Sequence, residues 1–407
     1  VIIGGGVVGL STAYSLALAL KDASASDSSA IPMITVIEPS NEISPAASTH
    51  ATGGIGDFGS KSNPSVASVA KLSYNMHVKM AAEHNGAEKY GFSEQVIYRL
   101  TPRNFTGTPS PPDNAGTEIP PTPVPLSELP DWVRTSDHWE AQRMASGPQC
   151  SHLNPRLFCP FLAEQVAGMV VRIELGASVI SVESNEAEQE FSRVQIRRAS
   201  GSVDCLPCRA VVLATGPWSD RVFAQLFPNA RITLPMNSTD AAGNHFRVKS
   251  PGWESEAQEY EKSVQVYYMN VTPDGSRFDV TSFANGDLYI GGWGARPEVL
   301  PDLATSVRPQ PSEIEAMISA TKRYVTVDPN KELEYFDVGR CYHPSTTTGR
   351  PIITKVDWYL LGIGDSFEAL LNTPSESSDI VGGLFINTGH DSSGGSQALG
   401  SGKVMSD

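Results

Sequence analysis

The apolar residues of this chain fall in short runs separated by glycine or polar turns. Val1-Ile2-Ile3 reads as the end of a buried strand, Gly4 to Gly9 as a turn, and Leu10 to Leu20 as a helix. A polar, Ser/Ala-rich stretch from Lys21 to Ala30 reads as a surface loop. Ile34-Thr35-Val36-Ile37-Glu38 is a second buried strand that closes on an acid. Strand, turn, helix and strand in this order predict a βαβ unit with a parallel sheet.

Helical periodicity follows over 65–90 and from Pro155 to Ala167. Strands are predicted from Val170 to Val182, from Val194 to Arg198, and over Arg209 to Gly216, which ends on a glycine turn. Between 226 and 335 alternating patterns dominate, with one clear hairpin turn at Asn285-Gly286. Leu384 to Asn387 is a last strand, running into a glycine-rich turn and a final helix. Residues 101–130 hold nine prolines and predict a long surface loop without regular structure. No internal repeat is evident.

A length of 407 residues suits two domains, or one α/β unit with an inserted second part. No run reaches the roughly 20 apolar residues of a spanning helix. The formal charge of −15 opposes nucleic acid as a partner. Five scattered cysteines argue against a disulfide framework and for a reducing, intracellular setting, taken as cytoplasmic. The chain opens inside an apolar run without methionine. Residues ahead of it are therefore expected, with any targeting signal among them.

Gly4-x-Gly6-x-x-Gly9 matches the dinucleotide fingerprint. The first glycine permits the tight turn, the second lets backbone N–H groups approach a pyrophosphate, and the third lets helix and strand pack closely. Val7 and Val8 open the helix, whose N-terminus favours phosphate. Glu38, followed by Pro39, is placed to accept both hydroxyls of an adenosine ribose and disfavours a 2′-phosphate. Its distance from Gly9 exceeds the usual spacing, and the polar loop 21–30 accounts for the excess.

The rest of the chain separates FAD from NAD. Ala47-Ser48-Thr49-His50-Ala51-Thr52-Gly53-Gly54 offers a second phosphate-side turn. Val211 to Ser219, with Thr215, Gly216 and Trp218, is another strand-to-glycine turn. Thr388-Gly389-His390-Asp391-Ser392-Ser393-Gly394-Gly395 is a third. An extended FAD can touch several distant segments.

These blocks, with Asn154-Pro155-Arg156, Gly176 to Val179, Arg340-Cys341-Tyr342-His343-Pro344 and Gly349-Arg350-Pro351, span nearly the whole chain in order. Together they resemble the FAD oxidoreductase family that includes D-amino-acid oxidase, glycine oxidase and monomeric sarcosine oxidase. Leu129-Pro130-Asp131-Trp132 and Gly243-Asn244-His245-Phe246 are most similar to poorly characterised fungal members. The resemblance implies a Rossmann-like FAD-binding domain with a parallel sheet, built from 1–75, 151–225 and 336–407. A second, substrate domain with a mixed or antiparallel sheet is expected over 76–150 and 226–335.

It further implies that the Val179 backbone contacts adenine and that Ser48, Thr49, Gly53 and Gly54 lie on the phosphate side. Gly389, His390, Ser392, Ser393 and Gly394 are placed against the flavin ring. There a helix N-terminus would stabilise negative charge on the reduced ring.

The activity implied is hydride transfer from an amine or amino-acid-like carbon to flavin N5, with dioxygen as acceptor and hydrogen peroxide as product. The alternatives are a dehydrogenase with another acceptor, and a flavin-containing binding or trafficking protein with little turnover. His390 and His343 are the candidate catalytic side chains, although the flavin carries the chemistry. Cys341 matches the position of the sarcosine-oxidase sulfur link to FAD; its other reading is a buried cysteine beside the cofactor.

The chain departs from the pattern where substrate is held. His343 stands in place of one carboxylate-gripping arginine, Asp391, Ser392 and Ser393 in place of another, and Ser396 in place of a lysine. Arg340 or Arg350 is either a substitute or a surface strand arginine. Tyr267, Tyr268, Trp293 and Tyr342 are pocket or core aromatics. No metal site is expected: Cys205-x-x-Cys208 lacks a second pair.

Overall fold

The computed structural model describes residues 1–24, 33–58, 64–104, 121–185, 190–237, 242–251, 262–269, 271, 278–292, 298–363 and 382–407. The predicted buried strands form one sheet of six, in the order Ile352–Val356, Gly383–Thr388, Ala210–Leu213, Ile2–Ile3, Ile34–Glu38 and Val171–Leu175. Five run parallel, and Ile352–Val356 closes one edge antiparallel to Gly383–Thr388. Ile2, Val36 and Val212 feed the core under the first helix, Val7–Ser24, while Ile3, Ile37, Val211 and Leu213 feed the core of the opposite face. Burial on both faces explains why these strands read as unbroken apolar runs.

The first helix packs against the last, Gly394–Ser406, and against Pro155–Ala167. Small residues allow close approach: a Cβ at Gly402 would lie 2.6 Å from the Ser11 backbone, and one at Gly400 2.5 Å from the Val69 carbonyl oxygen. Pro155–Ala167 starts where predicted. Asn154 caps it by accepting the Arg156 N–H at 3.1 Å, and Pro155 occupies the first turn, where no N–H is needed.

A second, larger sheet stands beside the first. Its order is Phe336–Tyr342, Ala242–Lys249, Asp287–Gly291, Phe278–Ser282, Lys262–Tyr268, Ser93–Pro102, Trp139–His152 and Gly54–Gly56. The Asn285-Gly286 hairpin joins two of its strands as predicted, with Gly286 at φ +80°. Strands 54–56 and 336–342, expected with the nucleotide-binding part, are hydrogen-bonded into this sheet. A three-stranded antiparallel sheet, Ala177–Asn185, Glu190–Arg198 and Val203–Pro207, completes the molecule.

Several expectations are corrected. The first helix continues through Lys21 to Ser24. Thr122–Val124, inside the proline-rich stretch, pairs with Trp139–His152; most of that stretch lies outside the described residues. Cys205 sits in the strand Val203–Pro207. Of the two readings given for Tyr267 and Tyr268, pocket or core, the structure agrees with core, and Trp293 lies outside the described residues. Among the described residues no helix is long and apolar enough to cross a membrane.

Candidate active site

The site begins where Ile2–Ile3 ends. Gly4 adopts φ +111°, and a Cβ there would meet the Ala214 carbonyl oxygen at 2.4 Å. A Cβ at Gly9 would stand 2.0 Å from the Gly4 oxygen, so helix and strand touch through bare backbone.

Glu38 organises this turn. Its Oε2 accepts the Gly5 N–H at 2.9 Å and its Oε1 accepts the Ser40 N–H at 3.0 Å. Burial raises its pKa; the Ser40 and Gly5 bonds oppose the shift. Ser44 Oγ donates to the Gly5 carbonyl at 2.9 Å, and Ser48 Oγ accepts the Val7 N–H at 3.0 Å. The first turn of the helix holds no acid, so its positive end faces the site without a built-in anion.

From Glu38 a cleft of about 1230 Å³, counted out to its open mouth, runs past the glycine turn and the Ser44–Ser48 segment. It continues along Thr215, Gly216 and Trp218 to Cys341, His343 and the start of the last helix. A Cβ at Gly216 or Gly395 would meet nothing within 4 Å. These two glycines border open space rather than packed protein.

At the far end Gly383–Thr388 delivers Gly389, at φ +79°, and then His390 and Asp391. Asp391 holds φ +50°, and its Oδ1 accepts the Ser345 hydroxyl at 2.8 Å and stands 3.7 Å from His343 Nδ1. His390 is 3% exposed, and burial lowers its pKa to about 4, so its ring is neutral near pH 7. The first turn of the last helix again lacks an acid. His77 braces it, with Nε2 3.0 Å from the Gly395 carbonyl oxygen. Burial pushes the Cys341 thiol up to about 12.

The family model for FAD-dependent oxidoreductases of the DAO type matches residues 1–407, the whole chain. The chain belongs to this family of FAD-dependent oxidoreductases. An oxidoreductase of Schizosaccharomyces pombe is 23% identical over 371 residues, covering 88% of this chain and 85% of that protein. Among solved structures, glycine oxidase from Bacillus cereus shares 18% identity at a TM-score of 0.66, covering 100% of this chain and 93% of its own. Glycine oxidase from Geobacillus kaustophilus gives 16%, 0.68, 100% and 92%. L-Proline dehydrogenase from P. horikoshii gives 15%, 0.67, 100% and 91%. At such identities the likeness is one of fold.

The residues present fit FAD on grounds internal to this oxidoreductase. Ser40 Oγ and Asn387 Oδ1 on the cleft wall, and both ring nitrogens of His390, are buried without a hydrogen-bond partner among the described residues. A polar ligand lying in the cleft would give these atoms partners.

Of the residues singled out from sequence, Gly4, Gly6, Val7, Val8, Glu38 and Pro39 lie on the wall at one end. Ser48, Thr215, Gly216 and Trp218 lie along its length. Cys341, His343, His390, Ser392 and Gly394 lie at the other end. Gly9, Thr49, Gly53, Gly54, Val179, Gly389 and Ser393 are not on the described wall. Thr49 Oγ1 bonds the Ser44 carbonyl at 2.8 Å, and the Val179 side chain is buried in the core behind the parallel sheet. Gly53 needs its φ of +89° because a Cβ would stand 2.0 Å from the Leu153 oxygen.

Sequence reasoning missed Ser40, Ser44 and Asn387, and the segment Asp302–Ala304. That segment carries no local signal; Trp218 Nε1 brings it in by donating to the Pro301 carbonyl at 2.6 Å. Arg340 is no surface arginine: it is 3% exposed and lies 3.5 Å from both Glu298 and Glu313. Arg350 is exposed.

Proposed function

We propose that this FAD-dependent oxidoreductase is an amine oxidase: hydride leaves a carbon bearing nitrogen for flavin N5, and dioxygen takes the two electrons to give hydrogen peroxide. Bound FAD supplies the redox chemistry. Glu38 would hold the ribose, the N-terminus of Val7–Ser24 the pyrophosphate, and the start of Gly394–Ser406 the polar edge of the ring. His390 and His343 are the side chains proposed to meet substrate. Neutral His390 offers one N–H and one lone pair, enough to orient an amine without carrying charge. The proposed division into an FAD-binding and a substrate part puts the reacting carbon where the two sheets meet.

The observation that supports this reading is a cleft bordered by two helix N-termini with no acid in their first turns, and with buried polar atoms lacking partners on its wall. The test begins with the absorbance spectrum of the purified protein. Flavin bands near 370 and 450 nm are expected, as ~ values general to flavins. Amines and amino acids are then screened for anaerobic bleaching and for peroxide. Bleaching with peroxide supports an oxidase, bleaching without it a dehydrogenase. A flavin that no compound bleaches points to a binding protein and overturns the proposal.

A further inference from the structure

The described wall of the cleft contains no arginine and no lysine. Its charged side chains are Glu38 at one end and Asp302 and Asp391 at the other. Asp302 points largely to solvent, 4.0 Å from Arg221. Asp391 is half exposed but anchored: Ser345 fixes its carboxylate, and the left-handed backbone at Asp391 brings its N–H to the Pro344 carbonyl at 3.2 Å. Beside it, His390 is buried on the wall with neither ring nitrogen partnered among the described residues. Among the described residues the group that faces Asp391 is His343, with Nδ1 3.7 Å from its Oδ1 and charged only when protonated; no arginine or lysine of the described wall does so. Arg340 faces Glu298 and Glu313, and Arg350 is exposed.

A carboxylate brought into this end would lose water without meeting an arginine or lysine of the described wall, and would face a like charge. An ammonium or a neutral amine N–H meets the opposite situation: an anchored carboxylate and an imidazole lone pair. Resting on the amine-oxidation reading, we infer that the substrate is an amine lacking an α-carboxylate, held with its cationic or N–H end toward Asp391 and His390. Asp391 is then the specificity-determining residue.

The test uses the holoenzyme with matched pairs: lysine against 1,5-diaminopentane, and sarcosine against dimethylamine. The decarboxylated member of each pair is expected to show at least a tenfold higher kcat/KM. Faster oxidation of the amino acids overturns this inference and leaves amine oxidation standing. Oxidation of neither, without bleaching, overturns amine oxidation itself.

Binding without turnover gives a second readout. Tetramethylammonium should perturb the flavin spectrum at concentrations at least tenfold below those of acetate; the reverse order overturns the inference. Asp391→Asn keeps a residue that tolerates positive φ. It should retain the flavin spectrum, raise KM for the amine about tenfold and leave kcat within about twofold. Asp391→Gly tolerates the same backbone and is expected to match it. An unchanged KM in both variants removes Asp391 from the proposal.

Discussion

His50 Nδ1 and His245 Nε2 meet at 3.3 Å, and this contact ties the short helix Ala47–His50 to the strand Ala242–Lys249 of the large sheet. The tie matters because Ser48, in the same short helix, accepts the Val7 N–H at the start of the first helix. Tyr289 completes the joint: its ring stacks on His245 at 5.0 Å, and its hydroxyl donates to the His50 carbonyl at 2.9 Å. Burial lowers the pKa of both rings, His50 to about 4, so the imidazoles meet as neutral rings with an N–H of one donating to the lone pair of the other.

Tyr289→Phe keeps the stack and deletes the bond to His50, leaving a partly buried carbonyl unpaired. The expected loss is about 1 kcal/mol of unfolding free energy. Urea unfolding of the holoenzyme measures it. A midpoint indistinguishable from the parent would show that water replaces the hydroxyl at no cost.

The buried histidines make stability depend on pH. His77 and His390 sit near 4 and His152 near 3, against 6.5 for an exposed ring, all chiefly through desolvation. A folded-state pKa below the unfolded value means that the unfolded chain binds more protons under pH 6.5. Stability is complete above that pH and drains away as pH falls toward 4. Each such ring costs roughly 2 kcal/mol at pH 5. Holoenzyme unfolded in urea at pH 7.5 and pH 5.0 should therefore lose several kcal/mol between the two. His77→Gln retains a donor for the Gly395 carbonyl and removes the titration, so it should shrink the difference by about 2 kcal/mol. The same loss in His77→Gln as in the parent would locate the acid sensitivity elsewhere.

What could be read from sequence follows from burial. Ile34–Glu38, Ala210–Leu213 and Gly383–Thr388 announce themselves because helices or strands cover both faces of their sheet. Gly4, Gly9 and Gly216 are legible because a tight turn or a close backbone approach leaves glycine as the residue that fits. Asp302–Ala304 was invisible, since its place on the wall depends on Trp218 reaching Pro301. Arg340 was misjudged because an arginine in a strand reads as exposed, whereas Glu298 and Glu313 draw it inward. Strand Thr122–Val124 was hidden by flanking prolines, which an edge strand tolerates.

Cys341 lies on the cleft wall at 7% exposure. Sulfur attacks as thiolate, and burial, which pushes the thiol pKa up to about 12, leaves very little of it ionised near neutral pH. Desolvation outweighs the nearby Arg340 charge that would lower it. The flavin is therefore expected to be held without a covalent bond. Acid precipitation should release it all into the supernatant, and Cys341→Ser should purify yellow. A fluorescent flavin band that travels with the denatured polypeptide would refute this.

Gly9, behind the glycine turn, and Gly395, on the cleft wall, separate structural from cofactor constraint. Gly9→Ala would place a methyl 2.0 Å from the Gly4 carbonyl oxygen, where backbone cannot yield cheaply. It should destabilise the flavin-free protein by about 3 kcal/mol, the upper end of the scale for overpacked cores. Gly395 is opposite in kind. It lies in the first turn of the last helix, and a Cβ there meets nothing within 4 Å. Alanine is the better helix former by up to about 1 kcal/mol, so Gly395→Ala should leave the flavin-free protein equally or slightly more stable. The new methyl would nevertheless occupy the cleft, and FAD affinity should fall about tenfold, or about 1.4 kcal/mol. Thermal melts of the flavin-stripped protein, paired with FAD titration by fluorescence quenching, separate the two effects. A Gly395→Ala protein that binds FAD as tightly as the parent would show that the cofactor does not fill that end of the cleft.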